Sequence, residues 1–231
     1  VNPAAMTDWE RFVFTFFNAQ VMSATWPRIV EGFFLTVELA LLIVVAGLAL
    51  GLALAVIRSF GIRPLNWVII FLVDLFRALP PLVIIVLIYF GLPSLGPAPS
   101  GFVSTWISLT LVLAAFAEEI VWGGILAVPK GQWEAARSTG LGFTATLAHV
   151  VLPQALRLSI PPLTNRTIAI TKGTALGSVV AVAEILSVAS GAVAVTSNPS
   201  PLTLGALAYL ILFVPVVAAG RWVETRFAWK R

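Results

Sequence analysis

No cysteine occurs in the 231 residues. Disulfides, thiolate chemistry and cysteine-ligated metals are therefore excluded. The single histidine, His149, excludes a histidine-rich metal site as well. Charge is scarce: charged residues make up 10% of the chain, whereas a soluble domain carries about 25%. With 59% hydrophobic residues and a mean hydropathy of +1.01, too few polar residues remain to cover a globule in water. The natural solvent is lipid. There is no nucleophile–base motif and no Gly-x4-Gly-Lys-Ser/Thr loop; Lys172-Gly173-Thr174 lacks the leading glycine loop. A catalytic site, a metal and a bound cofactor are not expected of this chain. Nor is a clean signal peptide expected, since Asp8, Glu10 and Arg11 precede any long apolar run. The length suits one membrane domain with no appended soluble domain. The net charge of +4 is no nucleic-acid signal, because the basic residues lie between apolar blocks, as in membrane loops.

What is present is a series of apolar blocks. Residues 1–31 form an aromatic N-terminal segment, read as an interfacial helix between Trp9 and Trp26. Residues 32–231 follow as the membrane domain. The first span is expected at 32–57, long enough at about 20 residues per crossing. An interfacial or tilted helix at 65–76 leads through Pro80-Pro81 to a second span ending near Leu92. The third span covers 102–126, the fourth 168–188 and the fifth 202–220, with a basic tail from Arg221 to Arg231. Pro- and Gly-rich turns lie at 93–101 and 197–201. The fold class is all-α: five transmembrane helices, an N-terminal interfacial helix and a cytoplasmic loop carrying a short helix.

Lysine and arginine orient the domain. With the loop around Glu134 in the cytoplasm, Arg58, Arg63, Arg77, Lys130, Arg137, Arg157, Arg166 and the basic tail all face inward. Only Arg11 and Arg28 fall outside, Lys172 lies in the fourth span, and both outer turns lack basic residues. Five spans then put the N-terminus outside and the C-terminus in the cytoplasm.

The longest stretch that is neither a span nor a short turn runs over about 129–166. Pro129 suits a helix start, Ala135, Ala136 and Arg137 are good helix formers, and Gly140 and Gly142 end or bend the helix. Physics alone leaves two readings open: a docking knob outside the membrane, or a surface loop joining two helices.

The residues narrow the choice. Glu134-Ala135-Ala136, Gly140 six residues after Glu134, and Val150-Val151-Leu152-Pro153 resemble the EAA loop of permease subunits in ATP-binding cassette importers. Pro153-Gln154-Ala155-Leu156-Arg157, Pro161-Pro162, Asn165, Lys172, Thr174-Ala175-Leu176 and Glu184-Ile185-Leu186 are similar to the polar amino-acid group: histidine, arginine, glutamine and glutamate. Phe76-Arg77-Ala78-Leu79-Pro80, Tyr89-Phe90-Gly91-Leu92-Pro93 and Val128-Pro129-Lys130-Gly131-Gln132-Trp133 extend the likeness from about Gly32 to the C-terminus. It departs at Ala78-Leu79, where the family has Gly-Thr, at Trp122, often Arg, and at Gly173 and Ala175, for Asp and Ser. The resemblance implies a permease that moves polar amino acids by alternating access across the bacterial inner membrane. It implies as partners a second permease subunit, two ATP-binding cassette ATPases, an extracytoplasmic amino-acid-binding protein and membrane lipid, but no nucleic acid. ATP and magnesium would be bound by the ATPase. Glu134, Ala135, Ala136 and Gly140 would couple the two, with Glu134 pairing a base on the ATPase and the alanines admitting close approach.

Membrane charges supply the remaining candidates: Glu38, Arg77, Glu119, Asn165, Lys172, Thr174 and Glu184, for a translocation pathway or gate. A carboxylate in hydrocarbon costs about 2.5–3.5 kcal/mol on insertion scales, so it should face a partner or a watery path. Structural pairing, for instance with Arg77 or Lys172, and snorkelling at the lipid edge are the rivals. Glu119 shares a face with Ser108 and Ala115 within about 40°. Gly173-x3-Gly177 permits close helix contact, with ordinary packing the bland reading. His149 is expected at the surface. A secondary transporter, a membrane enzyme, and an importer of methionine or an inorganic anion are the rival functions; the Glu134 loop speaks against the first.

Overall fold

The computed structural model describes residues 6–227. Residues 1–5 of the N-terminal segment, and residues 228–231 of the basic tail with Lys230 and Arg231, lie outside the described residues. Ten α-helices occur in order: α1 (Asp8–Phe16), α2 (Ala19–Ser59), α3 (Arg63–Ala78), α4 (Pro81–Val86), α5 (Gly101–Ala127), α6 (Lys130–Ser138), α7 (Phe143–Thr146), α8 (Leu152–Lys172), α9 (Ile185–Thr196) and α10 (Ser200–Phe227). The described residues contain no strand.

Three stretches, Asp8–Ser59, Gly101–Ala127 and Ser200–Phe227, are long and apolar enough to cross a membrane. Two bent pairs raise the number to five if each pair is one span: Arg63–Ala78 with Pro81–Leu95, bent by 105°, and Phe143–Val180 with Ile185–Thr196, bent by 42°. Pro80 sets the first bend, because it disfavours helical backbone at Leu79, which is extended at ψ 137°.

Helix α5 is the hub, flanked by α2, α3 and α8. Its contact with α2 rests on small residues one helical turn apart: Gly47, Gly51 and Ala55 are all buried on one stripe. A Cβ on Gly51 would stand 2.6 Å from the Ala114 carbonyl oxygen, so only glycine permits this approach. Gly124 does the same for α8, where a Cβ would lie 2.7 Å from the Ala155 oxygen. Leu39, Ile43, Ile85, Leu109 and Leu113 fill the main core.

Helix boundaries differ from the sequence expectations in three places. The N-terminal segment breaks at Phe17-Asn18 rather than near Gly32: α1 is a separate helix and α2 runs through Pro27. Asn18 caps α2, its Oδ1 accepting from the Gln20 and Val21 amides at 3.1 and 3.3 Å. The loop proper is shorter than 129–166, since α8 begins at Leu152 and carries Pro161 and Pro162 in its interior. The fourth span is broken inside 168–188: a 3-10 segment, Gly173–Val180, is followed by Ala181 in left-handed conformation at φ +59° and a restart at Ile185.

Polar contacts tie the N-terminal region to the last turn. Ser200 Oγ donates to the Thr15 carbonyl at 3.1 Å and accepts from the Asn18 amide at 2.9 Å. Asn198 Nδ2 donates to the Phe14 carbonyl at 3.0 Å. Thr7 and Glu10 form a capping box on α1, which turns Trp9, Phe12, Phe16 and Phe17 outward.

Candidate functional site

The short helix α6 stands between α5 and α8, with Pro129 at its N-cap. Gly140 closes it at φ +91°, a backbone state that glycine adopts without steric cost. Its amide donates to the Arg137 carbonyl at 3.0 Å. Glu134 and Ala135 are exposed; Ala136 is 7% exposed and turned inward. Of the two alanines expected to admit a partner, one thus faces its own chain. Glu134 sits in the second turn, beyond the N-terminal turn where the helix dipole favours a carboxylate.

Aromatic packing fixes α6 on the core. Trp133 stacks on Phe143 with ring centres 5.6 Å apart and planes at 24°, and Phe143 meets Phe60, the C-cap of α2, at 5.6 Å. Behind them lie Val121, Ile125, Leu147 and Val151. Gln154 Nε2 donates to Gln132 Oε1 at 3.3 Å, a second tie from α8 to α6.

A cavity of about 560 Å³ opens between α3, α5 and α8, lined by Arg77, Phe116, Glu119, Pro162, Asn165 and Arg166. A chain of charges runs past it. One guanidinium nitrogen of Arg58 donates to both Glu118 oxygens, at 3.0 and 3.2 Å, and stands 3.7 Å from Glu119. Arg77 bridges Glu119 at 3.5 Å and Asp74 at 3.6 Å. Arg58 also covers the Trp122 ring at 4.7 Å, and Arg166 lies over Phe116 at 3.6 Å. Glu118 is wholly buried, so only its partner offsets the loss of water.

Arg77, Glu119 and Asn165 therefore come together on this cavity. The other pathway candidates are not among its lining residues. Glu184 is fully buried at the break before α9, accepting from the Leu186 and Ser187 amides at 3.0 and 2.7 Å and from Tyr209 Oη at 2.5 Å. Thr174 is buried, its hydroxyl donating to the Thr171 carbonyl at 2.9 Å. Lys172 is exposed, 6.0 Å from the Phe213 ring centre, and Glu38 is exposed on the outer side of α2. His149 is exposed, as expected.

Sequence reasoning passed over Arg58, Glu118, Phe116, Arg166 and Tyr209 as site residues. One signal was available: the Gly47-Gly51-Ala55 stripe points along α2 to Arg58, three residues past Ala55, so the arginine ends on the α5-facing side. Nothing comparable marks Tyr209.

Helices of this apolarity, two of them bent at breaks, around a charged cleft define a multi-pass membrane transport protein. More particularly, the chain belongs to the family of binding-protein-dependent transport system inner membrane components, whose pattern residues 44–229 match. It is 39% identical over 165 residues to the L-cystine transport system permease protein of Bacillus subtilis (strain 168), covering 71% of this chain and 70% of that one. It is 32% identical over 214 residues to a probable glutamine ABC transporter permease protein of the same organism, covering 90% and 97%. Among solved structures it resembles an amino acid ABC transporter crystallised with histidines: TM-score 0.81, 30% identity, 89% of this chain and 96% of that one. The chain is thus an inner-membrane permease component.

Proposed function

We propose that this chain is the membrane subunit of an ATP-driven importer of polar amino acids, working by alternating access as half of a permease pair. Two ATPase subunits bind and hydrolyse ATP with magnesium, and an extracytoplasmic binding protein delivers the substrate. In this reading the chain makes five spans, two of them broken, with the N-terminus outside and the C-terminus in the cytoplasm. The helix α1 lies in the outer interface. The likeness to amino-acid permeases supports the substrate class.

The observation that carries this reading is α6: a helix outside the core, braced from behind by Trp133 and Phe143, with Glu134 and Ala135 left exposed. It is the surface an ATPase would grip, and Gly140 makes the turn that lets it project. Arg77, Glu119 and Asn165 line the pathway, and Glu184 acts as a pivot at the break in the fourth span. Lys172 and Glu38 offer charges to the second permease, Thr174 stiffens the segment before the break, and Ala136 seats the helix on its own chain.

A charge-assisted contact from Glu134 is worth about 1.5–3 kcal/mol. Glu134→Lys, or Gly140→Val with its strained backbone, is expected to abolish transport-coupled ATP hydrolysis while membrane insertion persists. The measurement is ATPase activity and uptake by the reconstituted complex, with and without liganded binding protein, alongside co-purification of the ATPase. Normal stimulation and uptake with Glu134→Lys would sink the docking role and favour a secondary transporter.

A further inference from the structure

The charges in and beside the cavity balance: Arg58, Arg77 and Arg166 stand against Asp74, Glu118 and Glu119. Two further ionisable side chains lie amid apolar surface, one of each sign: Glu38 on α2 and Lys172 at the end of α8. Both are exposed, and neither has an ion-pair partner among the described residues. Glu38 stands half a turn around α2 from Gly47, which packs on α5. Phe34, Leu41 and Val45 beside it are exposed. An unpaired carboxylate on such a face is costly in a bilayer. Lys172 continues an exposed row on α8 made by Asn165 and Ala169, which line the cavity.

Depth selects the partner of Glu38. Gly47 and Gly51 lie against Leu113 and Ala117, so α2 and α5 run in step. Gly173 lies against Leu109, one turn before Leu113. Lys172 is therefore about level with Ile43, and Glu38 is five residues from Ile43 along α2, about 8 Å at 1.5 Å per residue. Two long side chains span that distance. Arg28 and Arg166 differ from Glu38 in depth by about 15 and 17 Å. Arg58 and Arg77 lie deeper still and are already paired. In a two-fold pair every contact occurs twice, residue i on j and j on i. A chain with one unpaired carboxylate and one unpaired ammonium at matching depth is complementary to itself in that sense.

We propose that the second permease is a second copy of this chain, seated so that Glu38 of each protomer meets Lys172 of the other. The proposal rests on the permease-pair reading above and deepens it: it names the partner and the surface, the Glu38 face of α2 against the Lys172 row of α8.

The absence of cysteine provides a direct probe. Two differently tagged copies, one with Glu38→Cys and the other with Lys172→Cys, are assembled with the ATPase in membranes. A glutamate–lysine pair holds its Cα atoms farther apart than the roughly 7 Å a disulfide allows, so a short bis-maleimide is the cross-linker. A covalent product carrying both tags is expected. Copies that both carry Glu38→Cys, or both Lys172→Cys, should give none. No two-tag product, the result if a different homologous permease is the partner, would overturn the interface, as would equal product from the matched copies. Charge reversal tests the pair itself. Glu38→Lys alone or Lys172→Glu alone, in both copies, should cut capture of one tag by the other about tenfold or more, since like charges replace a charge-assisted contact. Both reversals together should restore most of it, and no restoration would overturn the ion pair. The Glu134→Lys result is independent of these: uncoupling there with no two-tag product here leaves the importer standing and removes only this interface.

Discussion

At the residue scale, Glu118 is a costly group to misplace. It is buried without exposure beside Glu119, and Arg58, with its side chain 14% exposed, is its partner. Removing one member of such a pair costs about 3–5 kcal/mol, whereas replacing both by apolar groups is often neutral or better. Arg58→Met should therefore lower the unfolding midpoint of the detergent-solubilised protein sharply, and Arg58→Met with Glu118→Leu should recover most of the loss. A double variant as unstable as the single one would show that Arg58 acts through the Trp122 stack instead. Glu118 and Glu119 also show what can be read from residue order alone. Adjacent helical residues point about 100° apart, so the two carboxylates had to face different surroundings. Which one was buried depended on the path of α2, and the basic residue that settles it is 60 positions away.

At the scale of elements, the ring cluster of Phe60, Phe143 and Trp133 joins the end of α2 to the start of α7 and the middle of α6. Under the docking proposal these rings brace α6 from behind, Trp133 stacked on Phe143 at 24° and Phe60 tilted against Phe143 at 59°. Phe143→Ala is expected to leave assembly and basal ATP hydrolysis in place while cutting uptake about tenfold, an estimate equal to some 1.4 kcal/mol of lost coupling. Phe143→Tyr should retain most uptake. Uptake and hydrolysis falling together would mean the ring merely keeps α6 folded.

The elements were legible where polarity punctuates them. Ser100 caps α5, its Oγ accepting from the Val103 amide at 3.3 Å, and the expected 102–126 span is met by Gly101–Ala127. They were illegible where punctuation misleads. Pro161-Pro162 signals an end, but α8 continues through it. The break at 181–184 has no such signal, because Ala181, the residue at positive φ, is ordinary in composition and hydropathy cannot tell a 3-10 turn from an α turn. For the site, residue types announced charge and the Glu134 motif announced a loop helix. The Arg166–Phe116 stack and the Tyr209 contact needed coordinates, since each joins residues on different helices.

At the scale of the whole molecule, the bilayer constrains everything. Helix α2 has 41 residues, a length of about 60 Å at 1.5 Å per residue, against a hydrocarbon layer of about 30 Å. It must tilt or extend beyond the membrane, and α1 with the 197–200 turn holds its N-terminal end. Orientation can be read with two thiols in turn. Ser138→Cys on α6 and Ser94→Cys in the 93–101 turn, both exposed, should label from opposite sides with an impermeant reagent. Ser200 would be a poor reporter, being buried and bonded to Asn18 and Thr15. Labelling of both from one side would break the five-span arrangement.

The 3-10 segment sets the length of the bent helix pair that ends in α9. Eight residues, Gly173–Val180, rise about 2.0 Å each in this form and about 1.5 Å each as α-helix. Rewinding them would shorten the span by about 4 Å and rotate α9 by about 160°, swinging Glu184 away from Tyr209. The Tyr209 hydroxyl, donating to Glu184, is the pin that fastens the longer, more tightly wound form to α10.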